Sequence, residues 1–278
     1  MRQARTLGTR IVIYAFLVLA AIYTLIPAVT MVLTALRSPQ DLQMGPFTLP
    51  RELTPFKNFT QAWVNGRFNI YLKNSIIQTI PSVLIVISFA TLGGFGFAKM
   101  RFPGRNVLFF VLLGGMMIPF QSVMIPLYFL FNGLHLIDTH AAVFLAIGVL
   151  GIPFGTFMMR SFFISLPDQL LEAARLDGCS DFSAFTRVML PLTYPAWVSL
   201  ILFQSMWSWN NFLVPLIFIF TDALRPLPLG LMFYSTRYTT NYTLVAAGVL
   251  ITIFPLVILY IFLQRKFISS ITMGALTG

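Results

Sequence analysis

Two groups of polar residues stand out in a chain that is otherwise strongly apolar. The first is Gln204, Ser205, Trp207, Ser208, Trp209, Asn210 and Asn211, set inside an apolar stretch. Side-chain amides offer paired donors and acceptors, and an indole offers a flat apolar face with one N–H donor. That combination suits the hydroxyls and C–H faces of a sugar. Trp207 and Asn211 lie four apart and so share a helix face. Gln121 and Ser122 follow Pro119, where a broken helix would turn backbone groups toward a water-filled path. Hydrogen bonding between helices would use the same residues, so both readings stay open. The candidate path lining is Gln121, Ser122, Gln204, Trp207, Asn210 and Asn211.

The second group is the polar island at 166–195, LPDQLLEAARLDGCSDFSAFTRVMLPLTYP. Ser165 can cap a helix start, Pro167 suits a first turn, and Asp168 places negative charge at the helix's positive end. Leu170, Leu171 and Ala174 fall on one stripe, while Glu172, Arg175 and Asp177 point elsewhere. Gly178 stands where a helix ends on a left-handed residue. Asp181 can cap a second short helix carrying Phe182, Phe185 and Val188, which Pro191 stops. The expected product is a two-helix knob with small residues at its tip, shaped to enter a socket on another protein. A loop lying flat on lipid is the competing reading. It has the wrong sign of charge, because Asp168, Glu172, Asp177 and Asp181 outnumber Arg175 and Arg187.

Other chemistries find little support. Cys179 is the only cysteine among 278 residues, which excludes a disulfide framework and a Cys-rich metal site. His135, Asp138 and His140 read as a solvated loop, and no metal or catalytic set is expected. Gly93, Gly94 and Gly96 lack the Gly-Lys-Ser/Thr that a phosphate-binding loop requires. Energy must therefore come from a partner, an ion gradient, or nowhere.

The elements that position these residues follow from composition. The chain is 58% hydrophobic and 9% charged, against roughly a quarter charged in ordinary soluble chains. Apolar spans are expected at 11–36, 74–98, 107–132, 141–159, 196–220 and 242–263, with the third broken at Pro119 and Pro126 and the fifth at Pro215. A first span of that length exceeds the core of a signal peptide and is read as retained. The net charge of +10 is spread over segment ends, which reads as membrane flanking rather than nucleic-acid binding. Arg2, Arg5, Arg10, Lys99, Arg101 and Arg105 concentrate in short segments on one side, with Arg160, Arg175, Arg187, Arg265 and Lys266. That asymmetry places both termini and the knob at 164–195 in the cytoplasm. No Asp, Glu, Lys or Arg falls inside any expected span. Each such charge costs about 3 kcal/mol at mid-bilayer and commonly marks ion-coupled carriers, so their absence points to a neutral solute driven from outside the membrane.

Glu172, Ala173 and Ala174, then Gly178, then Val188, Leu190 and Pro191, together resemble the EAA-x3-G-x9-I-x-LP loop of ABC importer permeases, with Val188 for the usual Ile. The resemblance covers nearly the whole chain and is closest to the smaller permease subunit of the oligosaccharide branch, the group with the maltose and glycerol-phosphate systems. It extends to Phe102-Pro103-Gly104-Arg105, to Leu134 through Thr139, and to Trp209 through Leu216. It also reaches the ending Thr272-Met273-Gly274-Ala275-Leu276-Thr277-Gly278, where Thr277 replaces the usual Lys.

The resemblance implies an all-α membrane protein of six transmembrane helices, the type I ABC importer permease fold, as one permease domain over 1–278 in a bacterial plasma (inner) membrane. It implies a sugar importer whose partners are a second homologous permease, two ATPase subunits carrying ATP and Mg, and an extracytoplasmic solute-binding protein. On this reading the chain is no enzyme. Glu172, Ala173, Ala174, Asp177, Gly178, Leu190 and Pro191 would couple to the ATPase, and Gly274, Ala275 and Gly278 of the tail at 264–278 would reach the ATPase interface. A phosphorylated polyol is the alternative substrate, although no intramembrane Arg is present to hold phosphate. An ion-coupled carrier predicts intramembrane carboxylates and an internal repeat, neither of which is seen, though sodium can be held by carbonyls alone.

Overall fold

The computed structural model describes residues 7–45, 49, 55–237 and 241–276, with the backbone alone at 7, 55 and 265–276. Among the described residues every regular element is helical. In order they are α1 (Leu7–Leu36), α2 (Pro39–Leu42), α3 (Pro55–Val64), α4 (Phe68–Lys99), α5 (Arg105–Gly114), α6 (Phe120–Gly133) and α7 (His140–Ser165). There follow α8 (Gln169–Leu176), α9 (Asp181–Ala184), α10 (Leu190–Leu192), α11 (Tyr194–Trp209), α12 (Leu213–Phe218), α13 (Leu227–Arg237) and α14 (Tyr242–Leu276). Helices α1, α4, α7 and α14 are each long and apolar enough to cross a membrane, and two bent pairs bring the number to 6 if each pair is one span.

The bent pairs are Arg105–Met117 with Phe120–Gly133, and Asp181–Leu192 with Tyr194–Trp209, the latter at 74°. The short 3-10 turn Gly115–Met117 continues α5, and this half meets α6 at 97°. Proline ring atoms push the preceding residue out of the helical region, and Ile118 accordingly lies at φ −82°, ψ 115°. Pro126, expected to interrupt as well, sits inside an unbroken α6. In the fifth segment α11 stops after 16 residues. At 1.5 Å per residue that is about 24 Å, short of the roughly 30 Å hydrocarbon core. Its break falls at 210–212 and not at Pro215, which lies in the first turn of α12, where a missing N–H costs nothing. Asn211 satisfies that turn, its Oδ1 accepting the Val214 N–H at 3.0 Å.

The chain divides into two compact units, Met1–Phe68 with Leu231–Ile253, and Asn69–Gly230 with Phe254–Gly278. In the first, Ser38 and Asp41 form a reciprocal cap on α2. The Asn58 amide donates to the Ala35 and Arg37 carbonyls at 2.9 and 2.8 Å, joining α3 to the end of α1. Phe68 and Tyr234 meet edge to face at 5.2 Å.

In the second unit α4 and α7 approach closely through glycines. A Cβ on Gly151 would lie 2.8 Å from the Val86 Cγ2 of α4, and one on Gly155 would lie 2.8 Å from the Ala90 Cβ. At Gly94 it would meet the Met159 Cβ at 2.6 Å and the Arg160 backbone nitrogen at 2.8 Å. Small residues in this pattern let membrane helices gain dispersion contacts that larger ones would prevent. The other end of α4 is polar. Tyr71 donates to Asp222, Asn74 to the Ala223 and Arg225 carbonyls, Gln78 to the Leu224 carbonyl, and Ser75 accepts the Leu227 N–H. These bonds fix the segment between α12 and α13 on which the broken fifth span ends.

Candidate coupling knob and transport path

The knob at 164–195 is built on α8. Two bonds close the helix: the Gly178 N–H donates to the Arg175 carbonyl and the Cys179 N–H to the Ala174 carbonyl, both at 3.0 Å. This reciprocal closure requires a left-handed residue after the cap, and Gly178 has φ +82°. Leu171 and Ala174 are buried beneath α8. They join one apolar cluster with Phe95 of α4, Met159 and Phe163 of α7, Phe185, Met189, and Leu200 of α11. Phe185 stands 4.8 Å from Phe95 and 6.4 Å from Phe163, ring to ring. The knob is thus seated on the same core that joins three apolar helices.

Glu172, Ala173, Asp177, Gly178 and Pro191 are exposed, and Leu190 is half-buried. Ala174 is not at the tip: it faces the core, so a label there would report burial and not contact. The tip is more apolar than expected, because Leu176 is 89% and Phe182 69% exposed beside Gly178.

Three capping assignments change. Ser165 ends α7 and donates back to the Phe162 carbonyl at 2.7 Å instead of capping α8. Ser180, not Asp181, caps α9, accepting the Ser183 N–H. Asp181 pairs with Arg175 at 2.8 Å. Pro191 does not stop the second helix; the chain widens into a π turn, Phe185–Met189, and continues through α10. A proline at 191 cannot donate to the Arg187 carbonyl, and the wider turn is closed by the Leu190 N–H on the Phe185 carbonyl.

The path candidates separate into three places. Gln204 is buried and donates to Ser82 Oγ at 3.2 Å, while Ser208 reaches Thr79 on the same helix. Gln204 and Trp207 also line a cavity of about 370 Å³ with Gly115, Phe120, Gly151 and Phe154. Trp207, Asn210 and Asn211 border a more open recess of about 500 Å³ with Phe203 and Met206. Asn210 spends its amide on the Met206 carbonyl at 2.9 Å, and α11 has ended before Asn211. Gln121 and Ser122 occupy the exposed first turn of α6 and line neither space.

Among the described residues no group of three His, Cys, Asp or Glu could hold a metal ion. Asp138 lies in a solvent-facing loop, as expected, but is held there by bonds. Its carboxylate accepts the N–H groups of Phe220 and Thr221 at 2.9 Å and the Thr221 hydroxyl. Burial pushes its pKa up, but those bonds together outweigh it and hold the group below the ordinary carboxylate value. His140 Nδ1 accepts from Gln78 at 3.0 Å. Gly274 and Ala275 lie on the helical backbone of α14, which runs on past the expected end of the sixth span, while Thr277 and Gly278 fall outside the described residues.

Sequence reasoning missed Lys99, read only as a membrane-flanking charge, and the glycine seam. The spacing of Gly148, Gly151 and Gly155 was a legible sign of close helix approach.

Helices apolar and long enough to cross a membrane, with a capped polar knob seated on the core shared by α4, α7 and α11, suit a membrane permease subunit. The chain belongs to the family described as binding-protein-dependent transport system inner membrane component, which matches residues 90–271. It is 35% identical over 274 residues to the arabinooligosaccharides transport system permease protein AraQ of Bacillus subtilis (strain 168), covering 97% of this chain and 96% of that one. The diacetylchitobiose uptake system permease protein NgcG of Streptomyces coelicolor is 28% identical over 263 residues, covering 94% and 87%. A crystal structure of a bacterial ABC transporter involved in the import of the acidic polysaccharide alginate matches with a TM-score of 0.78 at 25% identity, covering 96% of this chain and 98% of that one. The all-α ABC importer permease fold expected from the loop motif is therefore the fold found, and the chain is a permease subunit rather than an enzyme.

Proposed function

We propose that this chain is the membrane-spanning subunit of an ATP-driven importer of oligosaccharides, working through a cytoplasmic ATPase that meets the knob. The carrying observation is the seat of α8, with Leu171 and Ala174 in one core with α4, α7 and α11 while Glu172, Ala173, Leu176, Asp177 and Gly178 face outward. A push on the outer face reaches three apolar helices through packed side chains, which resist compression. Glu172 and Asp177 give the outer face an acidic character that suits a basic socket, with Leu190 and Pro191 bracing the return into α11.

The named substrates of the relatives, arabinooligosaccharides, diacetylchitobiose and alginate, support a sugar. No charged side chain lines either space beside Trp207, which favours a neutral sugar over a phosphorylated polyol. Gln204 and Trp207 are the best-placed path residues. In this reading residues 1–278 form one permease domain in the inner membrane with both termini in the cytoplasm. The complex holds a second homologous permease, two ATPase subunits with ATP and Mg, and an extracytoplasmic binding protein. The end of α14, with Gly274 and Ala275, lies on the ATPase side.

A cysteine at the exposed Ala173, in a Cys179→Ser background, should crosslink to the ATPase in membranes from cells making the whole importer. Repeated failure to crosslink, with the complex intact, would remove the coupling role.

A further inference from the structure

Resting on the coupling role of the knob, we infer that Lys99 is a positioning residue that locks the end of α4 to the joint between α7 and α8, so that α4 travels with the knob. Lys99 closes α4, yet its side chain is only 4% exposed. Its ammonium donates to the Leu166 carbonyl at 2.6 Å and to the Asp168 carboxylate. Both acceptors belong to the joint, where Leu166 is extended at φ −79°, ψ 136° and Pro167 follows.

Asp168 stands at the N-cap of α8 but makes no side-chain capping bond. Its carboxylate is committed to Lys99, whose hydrogen bond and charge hold its pKa below the ordinary value. The end of α4 is gripped a second time. Arg160 of α7 donates to the Phe97 carbonyl at 3.3 Å and lies 4.2 Å above the Phe109 ring.

The geometry makes α8 a short rod with a joint at each end, extended at Leu166 and left-handed at Gly178. Covalently, motion of this rod enters the apolar helices only through α7 and, by way of the π turn, α11. The Lys99 lock adds a polar route into α4, alongside the Phe95 packing. The pair is asymmetric, since Asp168 is 74% exposed in its side chain. Removing the lysine charge leaves a solvated carboxylate, whereas removing the carboxylate strands a buried ammonium. Lys99→Met is therefore the cleaner break.

The test uses the assembled importer in nanodiscs, with Cys179→Ser and spin labels at Phe102→Cys and Gln169→Cys. The distance is read nucleotide-free and after trapping with Mg-ATP and vanadate. With Lys99 present it should be the same in both states. Lys99→Met and Asp168→Asn should each make it lengthen and broaden in the trapped state, and Lys99→Arg should restore invariance. If Lys99→Met does not assemble, Asp168→Asn carries the test, since the ammonium it leaves still has the Leu166 carbonyl at 2.6 Å.

An unchanged distance in either variant, or a shifting one with Lys99 intact, overturns the lock. Crosslinking from Ala173 is run on the same samples. Its success beside an invariant distance in the variants rejects the lock alone, and its failure rejects the coupling role itself.

Discussion

Gly178 shows how much a single position can report. An added Cβ would meet nothing within 4 Å, so the cost of Gly178→Ala is backbone strain alone, about 1 kcal/mol. That variant should insert and melt almost normally. Gly178→Trp should also insert but lose co-purification with the ATPase, because only an external surface can object to its bulk; retained co-purification would refute close approach there. Asp168 gives a pH signature. Its pKa is depressed in the fold, so the lock is intact above the unfolded value of about 4 and is lost only as pH falls through the lower folded value. The label distance between Phe102→Cys and Gln169→Cys should therefore be flat across the neutral range. The sequence announced Gly178 because a turn chemistry with one solution leaves a local mark. It did not announce that Ser180 would outbid Asp181, because the loser had a guanidinium to pair with six residues earlier.

Helices are where packing overrules local signals. The long apolar runs were legible because hydrocarbon thickness sets their length, and the bend at Pro119 because proline constrains its predecessor. Pro215 misled because a proline in a first turn is silent, and Pro191 because a π turn absorbed it. Tertiary partners were not legible from periodicity. The polar face of α11 splits between bonds to α4 and an open side, a division that depends on where α4 lies. The seam between α4 and α7 permits a direct check. Gly94→Ala presses a methyl against the Met159 Cβ and the Arg160 backbone, neither of which is a flexible side-chain end. It should cost about 1–3 kcal/mol, seen as a lower melting temperature in detergent. A melting temperature equal to that of the parent would mean that the helices stand farther apart.

For the whole molecule, sidedness is the expectation to measure. With Cys179→Ser as background, Leu176→Cys should react with a membrane-impermeant maleimide only in inverted vesicles, and His135→Cys only in intact spheroplasts. The reverse pattern would place the knob outside the cell. Charge distribution is the ground for this expected orientation, whereas the polar bonds holding the 222–227 segment to α4 left no sequence pattern to find.

The bed under α8 carries a lesson for anyone building hybrid importers. Leu171 and Ala174 interdigitate with Phe95, Met159, Phe163 and Leu200, residues drawn from three separate helices. A loop transplanted from a relative would arrive without its mattress, leaving voids or collisions that cost several kcal/mol. Specificity for a given motor is therefore exchangeable only as a set, with the graft and its bedding moved together.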